Sequence, residues 1–321
     1  MDTNILSKRI LSHRSWLMGI SMLSIMLFHQ HFIDEYSFPW FVFSAFGYLG
    51  VDVFLFLSGY GLVNSKDKYS LRVFYIRRIL RILPMCLIAG GGKMYFCNVL
   101  GNADFISWKT FLGFDLWYIK AILIYYALMP LFSFAIDRYG RIILFFSFLL
   151  AAVVTLFVSN LLFYNLLLRL PVFLLGIYFA KNRFMLTSFL KKLSIPLLLS
   201  VIIVKILKIF HILPPKFDGL VILLFVWVVP VLCYYAMRFF QYLEKIKIAI
   251  ILSFFGKHSL ELYLWHEFVY FVIVSHFDLG LPLFWKLVIA ILLSVFLAYC
   301  TYFINNLAIF VFTKNKQYLF R

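Results

Sequence analysis

Ten runs of mostly apolar residues, each about as long as a bilayer crossing, occupy this chain from near its start to near its end. A transmembrane helix needs roughly 20 such residues. The runs lie at 15–33, 44–63, 79–99, 116–135, 142–159, 161–180, 194–213, 219–237, 258–276 and 284–312. None shows the alternating pattern of a membrane barrel, and backbone groups in hydrocarbon must be hydrogen-bonded within the protein. The sequence therefore predicts an all-α polytopic membrane protein with about ten transmembrane helices and a single domain over residues 1–321.

The composition excludes a water-soluble globule and explains the net charge. Hydrophobic residues make up 64% of the 321 residues and charged residues 13%, about half the charged fraction of an ordinary soluble domain. A net charge of +17 would suggest nucleic-acid binding in a soluble protein. Here 22 of the 30 Lys and Arg residues fall at the two ends of the chain and in alternate connecting segments, as they do on the cytoplasmic side of a membrane. We therefore expect cytoplasmic termini, contacts with membrane lipids and no nucleic-acid partner.

Ionisable residues inside the predicted helices are the first candidates for chemistry. Each costs roughly 2.5–3.5 kcal/mol at a helix centre on insertion scales, so a function is the default interpretation. These residues are His29, Asp52, Lys120, Arg169, Lys205, Lys208, Glu261, His266 and Glu267. No set of His, Cys, Asp and Glu residues has metal-ligand spacing, so we expect no metal. A lone His in a helix serves equally well as a packing residue, which leaves His29 open at this point.

Four separated segments carry a more specific signal. They read RSWLMGISMLSIMLFH over 14–29, FGYLGVDVFLFLSGY over 46–60, FYIRRILRILP over 74–84 and GKHSLELYLWH over 256–266. In this order they resemble the acyltransferase 3 family of integral membrane acyltransferases. The resemblance covers nearly the whole chain. It implies transfer of an acyl group, usually acetyl from acetyl-CoA, to a hydroxyl of a cell-surface or lipid-linked glycan, and a location in the bacterial inner membrane.

The resemblance assigns the central chemical role to His29, which matches the essential His of the family. Imidazole titrates near neutral pH and suits a base that takes the hydroxyl proton, and a transient acyl-imidazole is the alternative route. Asp52 lies at the outer end of the second helix and is the candidate carboxylate that orients this imidazole. A side chain that only faces the outer headgroups is the alternative for Asp52.

The arginine segment at the start of the third predicted helix is the candidate CoA site. Arg78 and Arg81 share a helical face, and Arg77 is four residues before Arg81. Forked guanidinium groups suit phosphates, and the free N–H groups of a helix start also favour anions. Cytoplasmic anchors that bind lipid headgroups are the alternative.

One position departs from the family pattern. The family usually has Arg or Lys eleven residues before its essential His, and this chain has Met18 there. Arg14, one turn earlier, is the candidate substitute through its long side chain, so we add it to the CoA-binding residues. Met18 also leaves open a family member that has lost its activity.

Substrate contacts are assigned to three further residues, and a competing function is kept. His266 ends the fourth segment and is the best candidate for an acceptor contact or for supporting another site residue; Glu261 and Ser58 complete the set. Packing is the alternative for each.

The competing function is a transporter or flippase for a glycan or lipid-linked sugar, although the inverted repeats typical of transporters are not evident.

Overall fold

The computed structural model describes residues 9–32, 47–66, 70–101, 106–158, 160–210, 212–214, 217–242, 248–276 and 280–314, and over these residues it contains helices and no strand. The helices are α1 (Arg14–Phe28), α2 (Tyr48–Lys66), α3 (Leu71–Val99), α4 (Trp108–Phe111), α5 (Trp117–Phe157), α6 (Leu161–Lys181), α7 (Arg183–Ile209), α8 (Asp218–Tyr242), α9 (Ile248–Lys257), α10 (Ser259–His276) and α11 (Leu283–Lys314). A 3-10 turn, His29–Phe32, continues α1. The all-α prediction is confirmed for these residues.

Several of the described helices suit a membrane. Five are long and apolar enough to cross one: Trp117–Phe157, Leu161–Lys181, Arg183–Val204, Asp218–Gln241 and Leu283–Leu307. Shorter apolar helices lie at Arg14–Phe28, Leu49–Val63 and Ile248–Lys257. These helices support an integral membrane protein. The ten crossings and the cytoplasmic position of both termini stay predictions.

Helix α5 joins two helices that the sequence predicted separately, at 116–135 and 142–159. A straight helix of its 41 residues would be about 60 Å long, twice the thickness of the hydrocarbon layer. Tyr139 interrupts it with non-helical backbone angles, φ −133° and ψ 23°. The predicted connecting loop is therefore a kink at a single residue.

Helix α3 begins earlier than predicted, which corrects one part of the phosphate-site argument. It starts at Leu71 and not at 79, and the Ser70 hydroxyl accepts a hydrogen bond from the Val73 N–H at 3.5 Å. The free N–H groups of a helix belong to its first four residues. Arg77 and its neighbours lie beyond them, so the helix start adds no N–H donors to the arginine segment.

Glycines bring the site-bearing helices into close contact. A Cβ atom on Gly59 of α2 would overlap the carbonyl oxygen of Phe173 on α6. A Cβ atom on Gly256 of α9 would likewise overlap the carbonyl oxygen of Ser15 on α1. Small residues allow this approach in membrane bundles, where dispersion and hydrogen bonds stabilise helix pairs. The two contacts set the position of α2 against α6 and of α1 against α9. Helices α1 and α2 carry the first two sequence motifs.

We expect Gly59→Ala to destabilise the protein, because the added Cβ meets backbone that moves only if α6 shifts. Overpacking of this kind costs about 1–3 kcal/mol, so the thermal midpoint of the purified protein in detergent should fall. Gly91→Ala is the matched control within α3, since its Cβ would lie 3.8 Å from the Phe111 ring, an ordinary contact. A midpoint for Gly59→Ala at or above that of Gly91→Ala would contradict the close contact between α2 and α6.

Candidate functional site

Three titratable side chains from α10 and the end of α1 meet inside the bundle. His29 opens the turn that follows α1, and His266 and Glu267 are neighbours on α10. His29 Nδ1 lies 3.1 Å from His266 Nε2, and His29 Nε2 lies 3.2 Å from Glu267 Oε1. His266 is fully buried, whereas the side chains of His29 and Glu267 are 15% and 32% exposed. We call these three residues the histidine cluster.

Hydrogen-bond geometry assigns the protons of the cluster when both imidazoles are neutral. His266 Nδ1 lies 2.9 Å from the carbonyl oxygen of Tyr263. A carbonyl oxygen only accepts, so Nδ1 carries the proton and His266 Nε2 is an acceptor. His29 Nδ1 therefore donates to His266 Nε2, and it lies 3.0 Å from a second acceptor, the carbonyl oxygen of Ile25. His29 Nε2 is then unprotonated. Since a lone pair and a carboxylate oxygen are both acceptors, its 3.2 Å contact with Glu267 Oε1 is a hydrogen bond when the two groups share a proton.

The carboxylate beside His29 is not the one that the sequence suggested. Asp52 is fully buried and its Oδ2 pairs with the Arg169 guanidinium on α6. Glu267 lies next to the imidazole instead. A carboxylate buried in the bundle needs a cation to offset its lost hydration, and Arg169 supplies it. The prediction that Asp52 orients His29 is therefore corrected.

A large cationic cavity lies between α1, α2, α3, α5, α9 and α10. We call it the arginine cavity; its volume is about 650 Å³. Its polar lining consists of Ser12, Arg14, Ser15, Ser58, Arg78, Arg81, Tyr118, Tyr126, Ser253, Lys257, Ser259 and Tyr263. Four of these side chains are cationic and the others carry hydroxyl groups. The arrangement suits a ligand with several negative charges.

The predicted arginines differ in their relation to this cavity. Arg78 lies over the rings of Phe74 and Tyr126, with 5.4 and 5.8 Å from its guanidinium carbon to the ring centroids. Arg81 donates to the carbonyl oxygen of Lys257 at 3.3 Å. Arg77, which is exposed as Arg81 is, is not among the described lining residues. The structure therefore separates Arg77 from the other two.

Arg14 and Met18 line the same cavity. The Arg14 Nε atom is buried and has no hydrogen-bond partner among the residues that the structure describes. A buried N–H donor without a partner is costly unless a ligand or water accepts from it. Position 18, where the family usually carries a cation, thus lines the arginine cavity, and Arg14 supplies a cation to the same cavity from one helical turn earlier.

A second, smaller cavity adjoins His29. We call it the histidine cavity; its volume is about 310 Å³. It is lined by Ile25, Phe28, His29, Gly47, Val51, Trp117, Asn165, Arg169, Asp218, Val221, Ile222 and Tyr263. It offers an aromatic face, an amide and a carboxylate beside the imidazole. Tyr263 lines both cavities, so they meet at its side chain.

The other predicted substrate residues have different positions. Ser58 lines the arginine cavity, and His266 contacts His29 as its hydrogen-bond partner. Glu261 is fully buried and is not among the residues that line the two cavities. It is two residues from Tyr263, about 200° around the helix, and it interacts electrostatically with Arg81 of the arginine cavity. That Glu261 contacts substrate stays a prediction.

Glu267 was one of the ionisable residues inside the predicted helices, but the sequence analysis gave it no specific role. Its position next to His266 was a sufficient reason to assign it to the same site. Lys93 also escaped assignment: it is buried in α3, lies 3.4 Å from Asp115 Oδ2 and interacts electrostatically with Glu267. The Gly-rich, apolar setting of Lys93 marks it as a costly charge.

The histidine cluster has the geometry to hold a metal ion. One ligand atom from each of His29, His266 and Glu267 lies within 4.8 Å of the others. Histidines that use their second nitrogen on a backbone carbonyl, as both do here, are typical of metal sites. The spacing along the chain did not predict this group, because 237 positions separate the two histidines.

Comparison with known proteins decides between the functions suggested by the sequence. A family model described as an acyltransferase domain matches residues 15–303. The chain belongs to the acyltransferase 3 family. No curated protein and no solved structure matches it. The apolar helices and the family together identify an integral membrane acyltransferase, and they favour this function over that of a transporter.

We expect Asp52→Asn to destabilise this acyltransferase by about 3–5 kcal/mol, because it leaves the Arg169 charge buried without its counter-ion. The thermal midpoint in detergent measures the effect. The double variant Asp52→Asn, Arg169→Gln removes both charges and should recover most of the loss. A double variant no more stable than Asp52→Asn alone would contradict the assignment of Asp52 to a structural ion pair.

Proposed function

We propose that this acyltransferase moves an acetyl group from acetyl-CoA to a hydroxyl of a cell-surface or lipid-linked glycan in the bacterial plasma membrane. One observation carries the proposal: a cavity with four cationic side chains and a cavity with a proton-accepting imidazole meet at Tyr263. The first suits a polyanionic donor, and the second suits an acceptor that must lose a proton.

The donor set of the arginine cavity fits the phosphates of CoA. Arg14, Arg78 and Arg81 offer forked N–H donors, which match phosphate oxygens, and the buried Arg14 Nε supports an anionic ligand. Acetyl-CoA would supply the activated thioester. His29 follows Arg14 by 15 residues, about 22 Å along a helix axis. The arm that carries the acyl group would extend along α1 towards the histidine cluster.

The histidine cluster supports general base catalysis. His29 Nε2 would take the proton as the hydroxyl oxygen attacks the thioester carbonyl, and it would return that proton to the departing sulfur. The new C–O bond replaces the C–S bond, so no proton is gained or lost overall. Glu267 would stabilise the imidazolium, while His266 holds the other nitrogen and fixes the ring.

The histidine cavity supports a sugar hydroxyl as the acceptor. Trp117 offers an aromatic face, and the amide of Asn165 and the carboxylate of Asp218 offer hydrogen-bonding groups. A few placed polar groups in an otherwise apolar pocket are how ligand sites fix orientation. A volume of about 310 Å³ suits one sugar unit better than an extended chain.

Donor binding is testable by thermal stabilisation. At a hundredfold excess over its Kd, acetyl-CoA should stabilise the protein by about 2.7 kcal/mol, and Arg78→Ala with Arg81→Ala should abolish the shift. Arg77→Ala is the matched control, because Arg77 is exposed outside the described lining of the cavity, and it should keep the shift. An equal shift with ATP, or an equal loss of the shift in Arg77→Ala and in the double variant, would contradict a CoA site and favour lipid anchors.

Catalysis by His29 is testable by substitution. His29→Gln should lower acetyl transfer by about 10²–10⁴-fold, the usual contribution of a general base, while the acetyl-CoA thermal shift is retained. Glu267→Gln should lower transfer less, since it removes stabilisation of the imidazolium and leaves the base. His13→Gln, at the other end of α1, is the control. Unchanged transfer by His29→Gln would contradict the proposed mechanism.

A chelator separates this mechanism from metal catalysis at the same three residues. A base that acts through the His29 lone pair needs no metal, so transfer should be unchanged after treatment with EDTA. Loss of transfer that Zn²⁺ restores would contradict the base assignment and favour a metal at the histidine cluster.

A further inference from the structure

Tyr263 lies between the two cavities and is held on both sides. It is 2% exposed, and its ring centroid is 5.0 Å from that of Tyr118 and 5.3 Å from that of His266. Tyr118 is buried as well and shares a hydrogen bond with Ser58. Buried side chains in protein interiors are closely packed and leave little free space around them. The two tyrosine rings pack together where the arginine cavity and the histidine cavity share Tyr263 as a lining residue, and we refer to this ring pair as the partition.

One turn of α10 carries both Tyr263 and His266, the residue that holds His29 in place. The carbonyl oxygen of Tyr263 accepts the His266 Nδ1 proton at 2.9 Å, and His266 accepts from His29. A displacement of the Tyr263 backbone would thus be felt at the imidazole that takes the proton. A large group that forces its way past Tyr263 disturbs the base as well as the packing.

We propose that Tyr263, packed against Tyr118, is a specificity-determining residue that admits only a small acyl group from the donor cavity to His29. This inference rests on the proposed function, since it concerns the path of an acyl donor. The acyl carbon has to reach a hydroxyl at His29, while the phosphates stay with the arginines. A short acyl group needs little displacement of the rings, whereas each added methylene must be accommodated between two buried side chains.

Cysteine labelling tests the partition without any enzymatic reaction. Met18→Cys places a thiol in the arginine cavity and Val51→Cys places one in the histidine cavity. A membrane-impermeant thiol reagent is applied to sealed vesicles from the side that labels Met18→Cys, and peptide mass spectrometry locates the label. Val51→Cys should stay unlabelled from that side when Tyr263 is present and become labelled in the Tyr263→Ala background. Labelling with Tyr263 intact, or none after Tyr263→Ala, overturns the partition.

Acyl-chain preference tests the specificity. The ratio of kcat/KM for acetyl-CoA to that for butyryl-CoA should fall by about tenfold or more in Tyr263→Leu, since a pocket discriminates about 10–200-fold per methylene. Tyr125→Leu is the matched control, because Tyr125 is equally buried but stacks on Phe173 and is not among the residues lining the two cavities. An unchanged ratio in Tyr263→Leu overturns the specificity role. The labelling pattern of Val51→Cys tests the partition, whereas the thermal shift with acetyl-CoA tests the proposed function. Either proposal can therefore fail while the other stands.

Discussion

A polar side chain inside a bilayer must find its partner within the protein, and this constraint organises the centre of the molecule. Asp52 and Arg169 join α2 to α6, and His29 joins α1 to α10 through His266 and Glu267. Apolar contacts between helices in lipid barely distinguish one face from another, because the surrounding tails are as apolar as the interface. Polar pairs do distinguish them, since a wrong pairing leaves a charge in hydrocarbon. The pairs therefore fix which helices meet and in which rotation.

The fold was predictable to the extent that it depends on hydropathy. Apolar runs of sufficient length predicted most of the described helices, because backbone groups in lipid leave no other choice. The short helices α4 and α9 lie outside every predicted run. Hydropathy did not predict that the two apolar runs at 116–135 and 142–159 form one long helix, α5. A polar segment between two apolar runs is compatible with a loop or with a continued helix, and here only Tyr139 leaves the helical region. The early start of α3 at Leu71 escaped for a similar reason: its first turns are too polar to count as a span but propagate the same helix.

The site was predictable residue by residue but not contact by contact. Membrane cost and the family motifs selected His29, Arg78, Arg81 and His266, and all four line a cavity or join the histidine cluster. We predicted that Asp52 orients His29 because only a short connection separates the first two predicted helices. Charge balance favours a different result: a buried carboxylate gains more from a guanidinium than from a neutral imidazole. Applied to the whole set of buried charges, that principle assigns Asp52 to Arg169.

The departure at Met18 has a physical interpretation in the arginine cavity. Met18 is eleven residues before His29 and Arg14 is fifteen, so Arg14 lies about 6 Å further from His29 along the axis. Both side chains line the cavity, so the α1 cation of this chain lies farther from His29 than a cation at position 18 would. Phosphates would then bind at a greater distance from the base, and the section of the cavity next to Tyr263 would contact only the uncharged arm of the donor. If the proposed donor binds there, the shift of the cation from position 18 to position 14 would lengthen the uncharged part of the donor path and would keep an arginine for the phosphates.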